Sequence, residues 1–211
     1  MDQTAVTVAA VHDVGPEAIA VEFETPDGFE ARPGQFVKLV ATVDGEEEPR
    51  FYTISSPDVE GTFELTIGID PEGAVTPQLR SLAAGEQMTL SGPYGDAYYE
   101  DEPRVLVLAG GPGIGPAVGI AERAVADGGE AAIVYRDDEP IHEERLADLG
   151  ARGVDIEILT PTQTLDDAVA NALTDDTQVF VYGFADFLDD AMAALEAAGV
   201  DTEDAKVENF G

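Results

Sequence analysis

The chain has 211 residues, of which 44 are Asp or Glu and only 10 are Lys or Arg, giving a formal net charge of −34. So acidic a chain lacks the basic footprint that neutralises phosphates, which excludes nucleic acid as a partner. Disorder is excluded as well, because 44% of residues are hydrophobic and the mean hydropathy is −0.06, enough apolar content to bury a core. Six β segments come first, at residues 5–11, 18–24, 35–40, 50–55, 62–69 and 87–90. Turn chemistry separates them: Pro26-Asp27-Gly28, Pro33-Gly34 and Asp44-Gly45. With one helical insert at 75–83 they predict a small antiparallel barrel. After Gly92-Pro93-Tyr94-Gly95 and the acidic run Glu100-Asp101-Glu102-Pro103 the rhythm changes. Apolar strands at 105–109, 131–135, 154–159 and 179–182 alternate with helices at 116–127, 141–151, 164–173 and 185–198. That order predicts a doubly wound parallel sheet buried on both faces. Residues 207–211 add a last edge strand. The expected domains are 1–100, an antiparallel β-barrel, and 103–211, an α/β unit.

Acids are spread evenly over the two halves, and Lys occurs only at Lys38 and Lys206. This pattern predicts adaptation to molar salt, where a Debye length of about 3 Å screens self-repulsion. The N-terminal Met1-Asp2-Gln3-Thr4 shows neither a basic nor an apolar leader, and no apolar run reaches membrane-spanning length. A cytoplasmic protein without a membrane span is expected. The chain has no Cys and only two His, His12 and His142, which are read as structural or solvated; no metal site is expected.

The strongest local motif is Gly110-Gly111-Pro112-Gly113-Ile114-Gly115-Pro116, a Gly-rich turn between a strand and a helix. Such a turn aims free N–H groups and the helix dipole at one point, which suits a diphosphate; a bare strand-to-helix turn has the same sequence. Beyond the next strand, Arg136 can pair with a ribose 2′-phosphate, whereas Asp137 can hold a ribose diol, and a solvated Tyr135-Arg136-Asp137-Asp138 turn needs neither. In the barrel half, Arg50 and Tyr52 share a strand face by period 2, with Thr53 on the other. Arg50 offers a planar fork for a phosphate and Tyr52 an aromatic platform, although a core Tyr beside a surface ion pair reads the same way. The scarcity of bases makes Arg50, Arg136 and Arg80 candidates for anionic ligands.

In order and spacing, these motifs resemble those of the ferredoxin-NADP reductase superfamily, a flavin-binding β-barrel followed by a pyridine-nucleotide domain. The likeness extends over essentially the whole chain. Arg50-Phe51-Tyr52-Thr53 matches the family's flavin motif. It implies Arg50 on the flavin phosphate, Tyr52 against the isoalloxazine ring and Thr53 near the ring's N5 edge. Gly73-Ala74-Val75-Thr76 resembles the segment that caps the flavin diphosphate, with Leu79, Leu82 and Gly85 as its continuation, and Gly92-Pro93-Tyr94-Gly95 is similar to the family's GPxG. Gly110 to Pro116 resembles the nucleotide loop, and Glu208-Asn209-Phe210 the C-terminal ExF. The resemblance thus implies Tyr52, Thr53 and Glu208 at the reacting centre, and Gly183 and Phe210 beside the nucleotide. Two departures stand out. Pro112 replaces a Thr, and Tyr182-Gly183-Phe184 replaces Cys-Gly-Pro.

The resemblance implies a flavoprotein oxidoreductase that passes electrons between NADPH or NADH and an external one-electron acceptor through bound FAD. The acceptor would be a ferredoxin, a flavodoxin or an oxygenase component, external because a chain without Cys carries no iron-sulfur cluster. The alternative is a flavin-binding electron-transfer subunit that has lost NAD(P)H binding, marked by Pro112 and Tyr182. Coenzyme choice, acceptor, direction of electron flow and oligomeric state are open at this point.

Overall fold

Alternating apolar residues in the first hundred positions form six strands: β1 (Thr4–Gly15), β2 (Ala18–Glu24), β3 (Phe36–Val43), β4 (Glu46–Thr53), β5 (Thr62–Gly68) and, after helix α1 (Thr76–Arg80), β6 (Gln87–Tyr94). The computed structural model describes residues 3–43 and 45–211; Met1, Asp2 and the Asp44 of the expected Asp44-Gly45 turn lie outside them. The strands pair antiparallel in the order β4-β3-β6-β1-β2-β5. Ile54, just past β4, bridges to Leu65 of β5, and the Ser55 N–H donates to the Glu64 carbonyl at 2.9 Å, so the sheet curls round on itself as a barrel. Every second residue points inward. Val37 and Leu39 of β3, Val21 and Phe23 of β2, and Phe63, Leu65 and Ile67 of β5 pack there, and Leu79 of α1 joins the same core.

The strands outrun their expected limits where polar residues hid them. β4 starts at Glu46, four residues before the expected position, because Glu46, Glu47, Glu48 and Pro49 read as a loop. They are the outer strand of a hairpin, with Glu46 opposite Val43 and Pro49 opposite Val40. An edge strand tolerates both acids and Pro, since one row of its backbone groups faces solvent. Helix α1 ends at Arg80, short of residue 83, where the Ser81 N–H turns back to the Gln78 carbonyl.

From residue 104 onward strand and helix alternate: β7 (Arg104–Gly110), α2 (Ile114–Ala126), β8 (Glu130–Arg136), α3 (Glu143–Ala151), β9 (Asp155–Leu159), α4 (Asp166–Ala172), β10 (Gln178–Gly183), α5 (Ala185–Ala197) and β11 (Lys206–Asn209). All five strands are parallel, in the order β11-β10-β7-β8-β9. The chain therefore reverses its winding between β7 and β10, the place where such sheets open a crevice at their carboxyl ends. One sheet face packs on α2 and α3 through Val107, Ile133, Tyr135, Phe180 and Tyr182. The other packs on α4 and α5 through Leu106, Leu108, Val134 and Val181. Burial on both faces holds for β7, β8 and β10 but not for β9, whose Glu157 and Ile158 are exposed because it is the outer edge.

Helix α2 lies directly on the barrel. A Cβ at Gly115 would stand 2.6 Å from Thr66 Cβ, and one at Gly119 2.8 Å from the Ser55 carbonyl oxygen, so glycine permits the approach. Arg145 of α3 clamps the join. Its guanidinium donates to Glu64 of β5 at 2.8 Å, to both oxygens of Glu122 of α2 at 2.8 and 2.7 Å, and to the Ser55 carbonyl at 2.7 Å. Beside it the buried His142 Nε2 lies 2.8 Å from Thr66 Oγ1. Burial, with Arg145 adding to it, pushes the imidazole down to about 3, so it is neutral near pH 7. His12 is exposed, 3.9 Å from Glu22.

Candidate functional site

A cleft of about 260 Å³ opens where β4 and β5 of the barrel meet the carboxyl ends of β7, β10 and β11. Its barrel wall is formed by Arg50, Phe51, Tyr52 and Thr53, with Thr66, Gly68 and Thr76; Pro112, Pro116, Phe184 and Phe210 form the other. Residues up to 160 positions apart in sequence are thus brought together by the way α2 sits on the barrel.

On the barrel wall, Arg50 is about half exposed, its Nη1 donating to Glu48 at 3.1 Å and to the Pro49 carbonyl at 2.8 Å. Tyr52 lies opposite Val37 across the β3–β4 ladder, on the face shared with Arg50. Burial pushes its phenol up to about 12, so it stays neutral and can donate a hydrogen bond. Thr53 is nearly buried, and its hydroxyl bonds to none of the described residues. Phe51 points outward, edge-on to Phe36 at 5.8 Å, with Tyr94 5.7 Å beyond.

The capping segment divides. Thr76 reaches the cleft, its hydroxyl accepting from the Asp70 N–H and donating to the Asp70 carbonyl, both at 3.0 Å. Gly73 backs onto Asp70, Val75 is buried in the barrel core, and neither they nor Ala74 line the cleft. Arg80 does not reach it either, because its guanidinium pairs with Asp13 at 2.6 Å.

On the facing wall, the glycine loop serves packing as much as access. A Cβ at Gly110 would strike the Phe187 ring at 2.4 Å, one at Gly113 the Tyr182 carbonyl at 2.2 Å, and Gly115 abuts Thr66. Ile114 is fully buried. At Gly111, with φ +55°, an added Cβ would meet nothing within 4 Å, so that side of its backbone is open. A Cβ at Gly183 would likewise stand 2.8 Å from the Phe187 ring, and the Gly183 carbonyl accepts from the Phe210 N–H at 3.0 Å. That bond sets Phe210 edge-on to Phe184, ring centres 6.0 Å apart. Tyr182, the residue in place of a Cys, turns away: it is fully buried, stacked on Phe180, and its hydroxyl donates to the Ala97 carbonyl. Glu208 does not line the cleft; its carboxylate lies near Gly95, and burial, helped by Asp96, raises its pKa. Phe184, Thr66 and Gly68 are cleft residues that no motif announced. Only the departure from Cys-Gly-Pro drew attention to Phe184.

The donor set fits a large, flat, phosphorylated ligand: one guanidinium at the mouth, an unpartnered hydroxyl, a neutral phenol and a wall of Phe and Pro. Residues 5–99 match the oxidoreductase FAD-binding domain family. Among curated proteins, the glycine betaine monooxygenase reductase subunit of Chromohalobacter salexigens is 41% identical over 97 residues, 44% of this chain and 26% of that protein. The toluate 1,2-dioxygenase electron transfer component of Pseudomonas putida is 33% identical over 127 residues, 57% of this chain and 37% of that protein. The chain thus spans well under half the length of these relatives. Among solved structures, the FAD/NAD-binding domain of nitric oxide dioxygenase from Vibrio cholerae superposes with a TM-score of 0.83 at 21% identity, covering 98% of both chains. A cytochrome P450 reductase from Amycolatopsis gives 0.82 at 21%, covering 99% of this chain and 70% of the other. These two share its fold. The barrel, residues 5–99, is thus matched in sequence as an oxidoreductase FAD-binding domain, and the chain as a whole has the barrel-plus-α/β fold of the ferredoxin-NADP reductase superfamily that its motifs resemble.

Proposed function

We propose that the cleft holds FAD and that the chain carries electrons from NADH or NADPH to an external one-electron acceptor protein. One observation carries the reading: Arg50 to Thr53 of the barrel face Pro112, Phe184 and Phe210 of the α/β half across one cleft. When bound, a flavin takes two electrons as hydride and releases them singly. The chain's own residues bind, orient and exclude water. Arg50 supplies the charge for a phosphate, its link to Glu48 being exposed and weak. The neutral Tyr52 ring is the platform, and Thr53 lines the cleft with a hydroxyl that bonds to none of the described residues. Phe184 and Phe210 shield the opposite side, and the open backbone around Gly111 at the head of α2 suits a dinucleotide's diphosphate. Glu208, whose pKa is raised by burial and by Asp96, lies near Gly95 outside the lining of the cleft, and its place at the reacting centre rests on the resemblance alone. We place the domain boundary at 100–103, within the stretch 95–103 that contains neither strand nor helix.

The two relatives are named as partners of oxygenases, which supports an oxygenase component or a small carrier feeding one as acceptor. Tyr182 is turned from the cleft, so its ring does not occupy the space a nucleotide needs, which supports the reductase over a subunit without nucleotide binding. Anaerobic titration of the flavin-loaded protein in multimolar KCl tests the reading. Bleaching of the flavin band by NADH or NADPH is expected; an unbleached but firmly bound flavin overturns the reductase, and a chain that stays colourless with added FAD overturns the whole assignment.

A further inference from the structure

The sequence leaves Arg136 and Asp137 in conflict over the coenzyme, and their surroundings resolve it. Arg136 ends β8, next to the crevice between β7 and β10. Its Nη2 donates to Asp190 of α5 at 2.7 Å, and its guanidinium lies 5.2 Å from the centre of the Phe187 ring. The Arg136 side chain is only 13% exposed whereas Asp190 is 60% exposed, so the guanidinium is sandwiched between its ring and its counter-ion. Its guanidinium is therefore already engaged with a carboxylate of the chain itself.

The neighbouring acids are arranged in the opposite sense. Asp137 Oδ2 accepts from the Tyr135 hydroxyl at 2.9 Å, and Oδ1 from the Glu139 N–H at 3.1 Å. Burial and the nearby Asp137 carboxylate both raise Tyr135, which keeps the phenol a donor. The Asp137 carboxylate is therefore held in one orientation as an acceptor. Asp137, Asp138, Glu139 and Glu17 line a recess that shares Gly68 and Pro112 with the main cleft, so it adjoins the proposed cofactor site. Among the described residues, no base lines that recess.

We infer that this chain selects NADH over NADPH, and that Asp190 is a positioning residue for that choice, occupying Arg136 while Asp137, Asp138, Glu139 and Glu17 face the ribose end. The inference rests on the reading that the cleft takes a reduced nicotinamide dinucleotide. A 2′-phosphate brings between one and two further negative charges and three acceptor oxygens. Here it meets four carboxylates and an arginine already paired. A 2′-hydroxyl brings a donor, which a fixed carboxylate can accept.

The test uses the flavin-loaded full chain at the lowest KCl concentration that keeps it folded, and again in multimolar KCl. Calorimetry gives Kd for NAD⁺ and NADP⁺, and anaerobic flavin reduction gives kcat and KM for NADH and NADPH. The wild type is expected to favour NADH by at least about tenfold in kcat/KM and NAD⁺ similarly in Kd, with the ratio shrinking as salt screens the carboxylates. Asp190→Asn keeps the side-chain shape and removes the charge. It is expected to lower the NADPH KM and the NADP⁺ Kd by about tenfold while NADH values stay within about twofold. A merely structural role for Asp190 moves both coenzymes together. Asp137→Asn provides a second variant, expected to narrow the ratio from both sides. Equal use of the coenzymes, a preference for NADPH, or a ratio unmoved in Asp190→Asn overturns the inference and leaves the reductase reading standing. Failure of both nucleotides to bind overturns that reading and the inference together.

Discussion

Replacing Arg145 with Met removes the clamp between the barrel and the α/β half while keeping most of the side-chain volume. The guanidinium makes four bonds of 2.7–2.8 Å, three to carboxylate oxygens of Glu64 and Glu122 and one to the Ser55 carbonyl. Arg145 is 23% exposed, Glu64 18% and Glu122 19%, so the variant leaves two largely buried carboxylates facing each other without a cation. Breaking a buried pair from one side costs about 3–5 kcal/mol, most of it the uncompensated charge. For a chain of this size that is a melting shift of roughly 6–20 °C at about 2–4 °C per kcal/mol. The assay is thermal melting of the flavin-loaded protein in multimolar KCl, where screening leaves buried pairs largely intact. The triple variant Arg145→Met, Glu64→Gln, Glu122→Gln should recover much of the loss, since neutral amides remove the stranded charges. A Met variant that melts within about 2 °C of wild type, or a triple variant worse than the single one, refutes this account of the join.

Arg50→Ala should melt normally but lose bound flavin on gel filtration, because the guanidinium is an exposed edge-strand group at the mouth of the cleft; a variant that stays yellow contradicts its role. Gly115→Val puts a branched side chain where a Cβ already stands 2.6 Å from Thr66, and should cost about 1–3 kcal/mol by lifting α2 from the barrel, measured by denaturant unfolding; an unchanged midpoint contradicts the packing. His142 provides a pH test. Its folded-state value of about 3 lies below its unfolded value near 6.5, so the unfolded chain binds the proton first. Its contribution is complete above about pH 6.5 and is lost as pH falls towards 3, at about 1.4 kcal/mol per unit. Between pH 7 and pH 5 the wild type should lose about 2 kcal/mol more than His142→Gln. Parallel stability–pH curves contradict the buried neutral imidazole.

The elements legible in sequence were those whose apolar pattern was uninterrupted. β7, β8 and β10 are buried runs with helices between them, and their limits shift by only a residue or so. The sequence predicts β4 too short because edge position, which sequence does not display, is what permits Glu46 to Pro49 in a strand. At the site the contiguous Arg50–Thr53 motif was visible and lies in the cleft. Thr66 and Gly68 were not, because they enter the cleft through the seating of α2 on β5, a contact between segments about 50 residues apart. The roles of the glycines were harder still. Gly113 and Gly115 sit in a motif that suggests a ligand, yet each touches protein at a distance no Cβ allows.

The ten bases also mean something different once their partners are known. Their scarcity suggested that each Arg marks an anionic ligand. Among the described residues, however, Arg32, Arg50, Arg80, Arg104, Arg123, Arg136 and Arg145 all pair with carboxylates of the chain itself. Lys206 does the same at the other join, bonding the Tyr98 carbonyl, Glu100 and Glu102 and so tying β11 to the segment between the two halves. In a chain at −34 eight of the ten bases act first as internal counter-ions, and enclosed pairs among them sit where the halves meet. Salt then acts selectively. It screens the exposed acids that repel one another, and it leaves the short, enclosed pairs at Arg145 and Lys206 nearly untouched. Those pairs stand between the halves that supply the two walls of the cleft, so its geometry depends on contacts that salt screens least.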